Sequence, residues 1–87
     1  MPLNLLFIVD PLDHLKEYKD STVAMMREAA RRGHIVHACT PAELWFQSRD
    51  GLVHACAHQL SLTQQAAPWY VDQGLHEHSL KHYAAVL

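Results

Sequence analysis

LNLLFIVDPLDHLKEYKDSTVAMMREAARRGH, residues 3–34, is the stretch whose reading decides the fold. Asn4 to Val9 is an almost unbroken apolar run rich in branched and aromatic side chains, the pattern of a strand covered on both faces. Such a strand needs helices over it, and the sequence supplies one at once. Asp20 and Ser21 offer cap oxygens, Val23, Met26 and Ala30 fall on one stripe with Met25 and Ala29 beside it, and Gly33 stops the run after Arg31 and Arg32. A second apolar strand, His34 to Cys39, follows directly, so the segment reads as a β-α-β unit with two parallel strands.

In open α/β sheets, ligands collect outside the carboxyl ends of the strands, where loops meet helix N-termini. The loop at that position, Asp10 to Asp20, is long and carries Asp10, Asp13, His14, Lys16, Glu17, Lys19 and Asp20. The plain reading is a solvated loop whose Asp20 caps the helix. The functional reading is that Lys19, Asp20 and Ser21 set a cation, cap groups and backbone N–H groups at the helix mouth, facing the strand end that carries Asp10. Because Asp20 competes for those donors, this predicts contact at a rim and not a complete pocket. Asp10, Lys19, Asp20 and Ser21 are therefore the candidate substrate-binding residues, and none is assigned a catalytic role.

Working outward, Thr40-Pro41-Ala42-Glu43 predicts a single helical turn, with Thr as N-cap, Pro at the first position and Glu three residues after the cap. Leu44 to Gln47 and Leu52 to His58 pair as a hairpin around Ser48-Arg49-Asp50-Gly51, with Gly51 where a positive φ is expected; the second arm stays extended to Leu62. Thr63 to Pro68 breaks the pattern. Trp69-Tyr70-Val71 opens a further strand that Asp72-Gln73-Gly74 is expected to interrupt, leaving His76 and His78 in a loop. Tyr83 to Leu87 is short and wholly apolar and predicts another buried parallel strand. A chain stopping on such a strand is expected to be the front of a longer protein, with residues 1–87 as one domain.

Composition narrows the function classes. With 49% hydrophobic residues the chain can form a core, but 87 residues leave little surplus burial. A formal charge of -2 with mixed signs argues against nucleic acid or an anionic membrane as partner. No apolar run approaches the roughly 20 residues of a membrane span. Pro2 leads straight into the first strand, with no room for a signal peptide, and the two cysteines do not form a disulfide framework, so a cytoplasmic location is expected.

Eight histidines raise the question of a metal. His54, Cys56 and His58 alternate along one strand, and His37 and Cys39 along another. Same-face neighbours on a strand are about 6 to 7 Å apart, too far for three in a row to grip one ion without distortion. Partly exposed strand histidines and core thiols are the simpler assignment, and no metal site is predicted. Neither cysteine has a sequence neighbour that would lower its pKa. Gly33, Gly51 and Gly74 form no phosphate-binding loop. Met25, Met26, Trp45 and Phe46 are assigned to the core.

Phe7-Ile8-Val9-Asp10-Pro11, Lys19-Asp20-Ser21-Thr22-Val23-Ala24-Met25 and Glu28-Ala29-Ala30-Arg31-Arg32-Gly33-His34 closely resemble the amino-terminal domain of the bacterial glutathione synthetases. The likeness continues more loosely through Ala42-Glu43-Leu44, the Gly51 hairpin, Trp69 and Ala85-Val86-Leu87. It implies a Rossmann-like pre-ATP-grasp domain, α/β with a mixed sheet that starts as a parallel β-α-β unit and includes an antiparallel hairpin. The resemblance further implies a homo-oligomeric ligase that joins γ-glutamylcysteine to glycine through an acyl phosphate made from ATP with magnesium. The family's Arg-Lys-Asp-Pro-Pro stretch and its ATP and magnesium ligands are missing from these residues, so the 87 residues alone are expected to be inactive. A stand-alone small-ligand-binding or regulatory α/β domain is the alternative. A receiver-type domain would need a strand-end lysine, whereas Lys81 precedes its strand.

Overall fold

The computed structural model describes residues 2–16, 20–65 and 68–87. Its elements are β1 (Asn4–Ile8), α1 (Ser21–Arg31), β2 (Ile35–Cys39), β3 (Leu44–Gln47), β4 (Leu52–Leu62), β5 (Tyr70–Ser79) and β6 (Ala85–Val86), with 3-10 turns at Leu12–His14, Pro41–Glu43 and Leu80–His82. One mixed sheet contains all six strands. Its hydrogen-bonded path runs β3-β4-β2-β1-β6, and β5 pairs with β4. β1 is parallel to β2 and to β6, while β4 is antiparallel to β2, β3 and β5.

The β-α-β start forms as the apolar patterns predict, with β1 in register from Asn4 opposite Ile35 to Ile8 opposite Cys39. Alternation then sorts the side chains between the two faces of the sheet. Phe7, Val36, Ala38 and Leu60 pack under α1 against Val23, Met26 and Ala29, together with Trp69. On the opposite face Leu6, Cys39, Ala55 and Ala57 are covered by Tyr83, with Leu80 against them. The helix stripe is thus Val23, Met26 and Ala29. Ala30 is half-buried, and Met25 is 46% exposed, so Met25 is not core.

The ends of α1 differ in how far they follow the sequence rules. Asp20 holds the N-cap position, but its side chain makes no cap hydrogen bond. Its carboxylate turns back and accepts from the Lys16 backbone N–H at 2.7 Å, so the expected cap oxygen is spent on the loop. At the other end Gly33, at φ +86°, lets its own N–H reach Ala30 O and the His34 N–H reach Ala29 O. Glu28 accepts from Arg31 and Arg32, and these guanidiniums hold its carboxyl well below the usual carboxylate range.

Past β2, Glu43 Oε1 accepts from the Thr40 N–H at 2.8 Å and from its hydroxyl at 3.1 Å, fixing the predicted single turn. The hairpin forms with Gly51 at φ +70° and Leu44 opposite Ala55. Phe46, expected in the core, lies opposite Val53 on this hairpin and is 64% exposed.

Two expectations fail after β4. Asp72-Gln73-Gly74 does not end the strand: β5 runs from Tyr70 to Ser79, with a register shift that sets Gln73 and Gly74 opposite Gln59 alone. Gly74, at φ +124°, supplies the backbone conformation for this bulge, and Asp72 Oδ1 accepts its N–H at 2.8 Å. His76 and His78 therefore stand on a strand and not in a loop. The last strand is parallel to β1 as predicted, but it has two residues, lies beyond β1 at the sheet edge, and its Ala85 and Val86 are exposed and not buried. Among the described residues no helix is long and apolar enough to cross a membrane.

Candidate functional site

Val9 and Asp10 leave the carboxyl end of β1 next to Cys39 and Thr40 at the end of β2, which is where parallel strands open a crevice. A cavity of about 230 Å³ lies there. Asp10, Pro11 and Asp13 come to it from the first loop, Thr40 and Glu43 from the turn after β2, His58 from β4, and Tyr70 and Asp72 from β5. Asp10 is exposed at its rim.

His58 sits between two carboxylates. Its Nδ1 approaches Asp72 Oδ2 to 2.8 Å, an ion-pair distance without hydrogen-bond geometry. Its Nε2 lies 3.9 Å from Glu43 Oε2, whose other oxygen is anchored on Thr40. The side chains of His58, Glu43 and Asp72 are 34%, 32% and 47% exposed, so water reaches the group. Cys39, at the cavity floor, is 3% exposed, and burial, reinforced by Glu43 and Cys56, pushes its thiol up to about 11. It is a core thiol and not a nucleophile.

With Asp10, Asp13, Glu43 and Asp72 all in the lining, the cavity favours a cationic or amine-bearing ligand over an anionic one. These residues do not fit a nucleotide triphosphate: among the described residues the lining contains carboxylates and no lysine or arginine, and the glycines form no phosphate cradle. Nor, among the described residues, do three His, Cys, Asp or Glu side chains come together as a metal-holding group.

Of the four candidate residues from the sequence, Asp10 lines the cavity. Asp20 and Ser21 stand at the mouth of α1 outside its lining, and the Asp20 carboxylate is engaged with the Lys16 N–H. Lys19 lies outside the described residues. Glu43, His58, Tyr70 and Asp72 were not singled out as ligand contacts from sequence. Only the pairing of Leu60 with Asp72 and of Ala38 with His58 brings them to one place, and no local motif encodes that.

The chain matches, over residues 3–87, the family model described as "Prokaryotic glutathione synthetase, N-terminal domain". The glutathione synthetase of Ralstonia nicotianae is 46% identical over 68 residues, covering 78% of this chain and 20% of that protein. That of Nitrosomonas europaea is 38% identical over 88 residues, covering 98% of this chain and 27% of the relative. That of Salmonella typhi is 35% identical over 68 residues, covering 78% and 21%. The chain thus spans about a fifth to a quarter of the length of these curated relatives.

Proposed function

This chain belongs to the prokaryotic glutathione synthetase N-terminal domain family, and from that premise we propose that it is the opening domain of a glutathione synthetase. In this reading the whole enzyme joins γ-glutamylcysteine to glycine at the expense of ATP, with magnesium, by way of an acyl phosphate. The observation that carries the proposal is the family match over nearly the whole chain. The cavity at the carboxyl ends of β1 and β2 supports it by giving the domain a surface suited to a small ligand.

The domain's own part is to wall the substrate cleft. Asp10 and the carboxylates beside it favour the ammonium group of an amino-acid-like substrate by charge, and Tyr70 and Leu12 give the cavity an apolar side. ATP and Mg²⁺ are held by residues elsewhere in the enzyme, since the lining here opposes a polyanion. The enzyme is a cytoplasmic homo-oligomer, and the 87 residues alone do not catalyse the ligation. A stand-alone small-ligand domain is the second reading, favoured only by the cavity being formed within these residues.

The test is glutathione formation from γ-glutamylcysteine, glycine and Mg-ATP, measured for the complete gene product and for the 87-residue chain. Activity is expected in the first alone. In the complete product, Asp10→Asn is expected to raise the KM for γ-glutamylcysteine more than it lowers kcat. A complete product without ligase activity would overturn the proposal.

A further inference from the structure

On the sheet face away from α1, four histidines from three elements converge. His37 of β2 is 3% exposed, and its ring stands edge-on to His76 of β5 (6.4 Å between centroids), to His82 of the turn Leu80–His82 (6.4 Å) and to Tyr83 (5.2 Å). His82 stacks on His78 at 3.7 Å and 10° between planes, and His78 is nearly parallel to His76 at 6.3 Å. Two imidazoles stacked face to face cannot both direct a lone pair at one ion, so this is not a metal cage.

The cluster is built for neutral rings. His37 Nε2 lies 3.2 Å from Asn4 Oδ1 and donates to it, leaving Nδ1 buried without a partner among the described residues; the hydroxyl of Tyr83, whose ring packs edge-on to His37, is likewise buried without one. A second proton would go to Nδ1, where no acceptor awaits it. Burial, then His82, His76 and His78, holds His37 down to about 4, and burial with His82 and His76 also lowers His78. The groups around His37 offer little relief. β1 presents the uncharged Asn4 and Leu6, β2 the core thiol Cys39, β4 the uncharged Gln59 directly opposite with the methyls of Ala55 and Ala57, β5 His76 and His78, and the final turn His82 beside Lys81. Glu77 pulls His78 the other way.

What covers His37 is the segment that follows β5. Tyr83 is the one buried residue from Leu80 to Leu87, and β6 adds two residues to the sheet. Beside the β1–β6 ladder, the segment's backbone bonds to the sheet include Ala84 N–H to Asn4 O, Leu87 N–H to Leu6 O and Ile8 N–H to Leu87 O, at 2.7 to 2.9 Å. Peeling this segment is the smallest movement that lets water reach His37.

We infer that the histidine stack is a proton-operated latch: with neutral rings it clamps residues 80–87 to the sheet, and below about pH 6 it releases them and uncovers Leu6 and Cys39. The sign follows from linkage. The folded pKa values of His37 and His78 lie below the unfolded value of about 6.5, so their contribution to the clamp is complete above that pH. It is lost as pH falls toward 4, up to tenfold in the docking equilibrium per pH unit for each proton taken up.

The test is amide hydrogen exchange by NMR on the 87-residue chain, corrected for intrinsic rates, between pH 7.5 and 5, with histidine ring titrations on the same sample. Protection at Ala84 and Leu87 is expected to fall more than tenfold while Met26 and Val36 hold. The His37 ring is expected to stay neutral below pH 5.5 for as long as the segment is docked. His82→Phe, which keeps a flat ring in the stack and removes its charge, should flatten the loss at Ala84 and Leu87. An ordinary His37 titration near 6.5 with the segment still protected, or a uniform loss of protection across the sheet, would overturn the inference.

Discussion

Met25 and Met26 are adjacent in sequence, yet α1 turns Met26 into the core and leaves Met25 46% exposed. Met26→Ala removes three heavy atoms from a site with 0% exposure among Phe7, Val23 and Val36. The transfer term for burying a methionine side chain is about 1.5 to 3 kcal/mol. A cavity term adds to it because a sheet and helix locked by neighbouring contacts collapse only in part, giving about 2 to 5 kcal/mol in all. An 87-residue domain has a total stability of about 4 to 13 kcal/mol. The substitution therefore takes a large share of it and lowers Tm by at least about 8 °C. Met25→Ala should change stability by no more than about 0.5 kcal/mol, since it loses little packing and gains slightly in helix propensity. Urea unfolding followed by far-UV circular dichroism and by the fluorescence of Trp69, which shares the Met26 core, reads both variants. Equal losses for the two, or a Met26→Ala loss below about 1 kcal/mol, would refute the assignment of the helix face.

Gly51→Ala should cost about 1 kcal/mol, purely through the backbone: φ is +70° and an added Cβ meets nothing within 4 Å, so Gly51→Asn should lose less in the same unfolding assay. Cys39, with its thiol pushed up to about 11, should react with a disulfide reagent at pH 8 only as fast as the domain opens, whereas the half-buried Cys56 should react first. Mass-spectrometric mapping of the labelled site separates them, and rapid labelling of Cys39 would contradict its burial.

The parts of the fold that short-range rules specify could be read directly. The unbroken apolar β1, the glycine stop of α1, the Thr40–Glu43 turn and the Gly51 hairpin each carry their signal within about four residues. Parallel pairing of β1 with β2 followed from connection rules, and β6 was expected to be parallel, but its place beside β1 was not legible. Most of the errors share a physical source, that tertiary pairing and packing override local punctuation; the Asp20 cap is lost instead to a local competitor. Asp72-Gln73-Gly74 has the composition of a turn, but pairing with β4 absorbs it as a bulge. Phe46 has the composition of a core residue, but its hairpin projects beyond the packed faces. Asp20 is a good cap by type, yet the Lys16 N–H takes its carboxylate. Of the candidate site, Asp10 was legible because a strand end is visible in sequence. His58, Glu43 and Asp72 meet only through the registers of β4, and the histidine stack likewise needs β2, β5 and the last turn together.

β4 makes all three of these antiparallel pairings, and its edges are shared out residue by residue: His54 faces both Trp45 and Ser79, and His58 faces both Ala38 and Leu75. Adding a single amino acid between Ala55 and His58 would turn every later side chain of the strand to the wrong face and break its match with β2 and β5 together. The same addition at Arg49 would only enlarge a surface bend, and circular dichroism of the two insertion variants would tell them apart. Length is therefore the property this strand has least freedom to change, and drift in the chain's size should be absorbed at its loops and not along its spine.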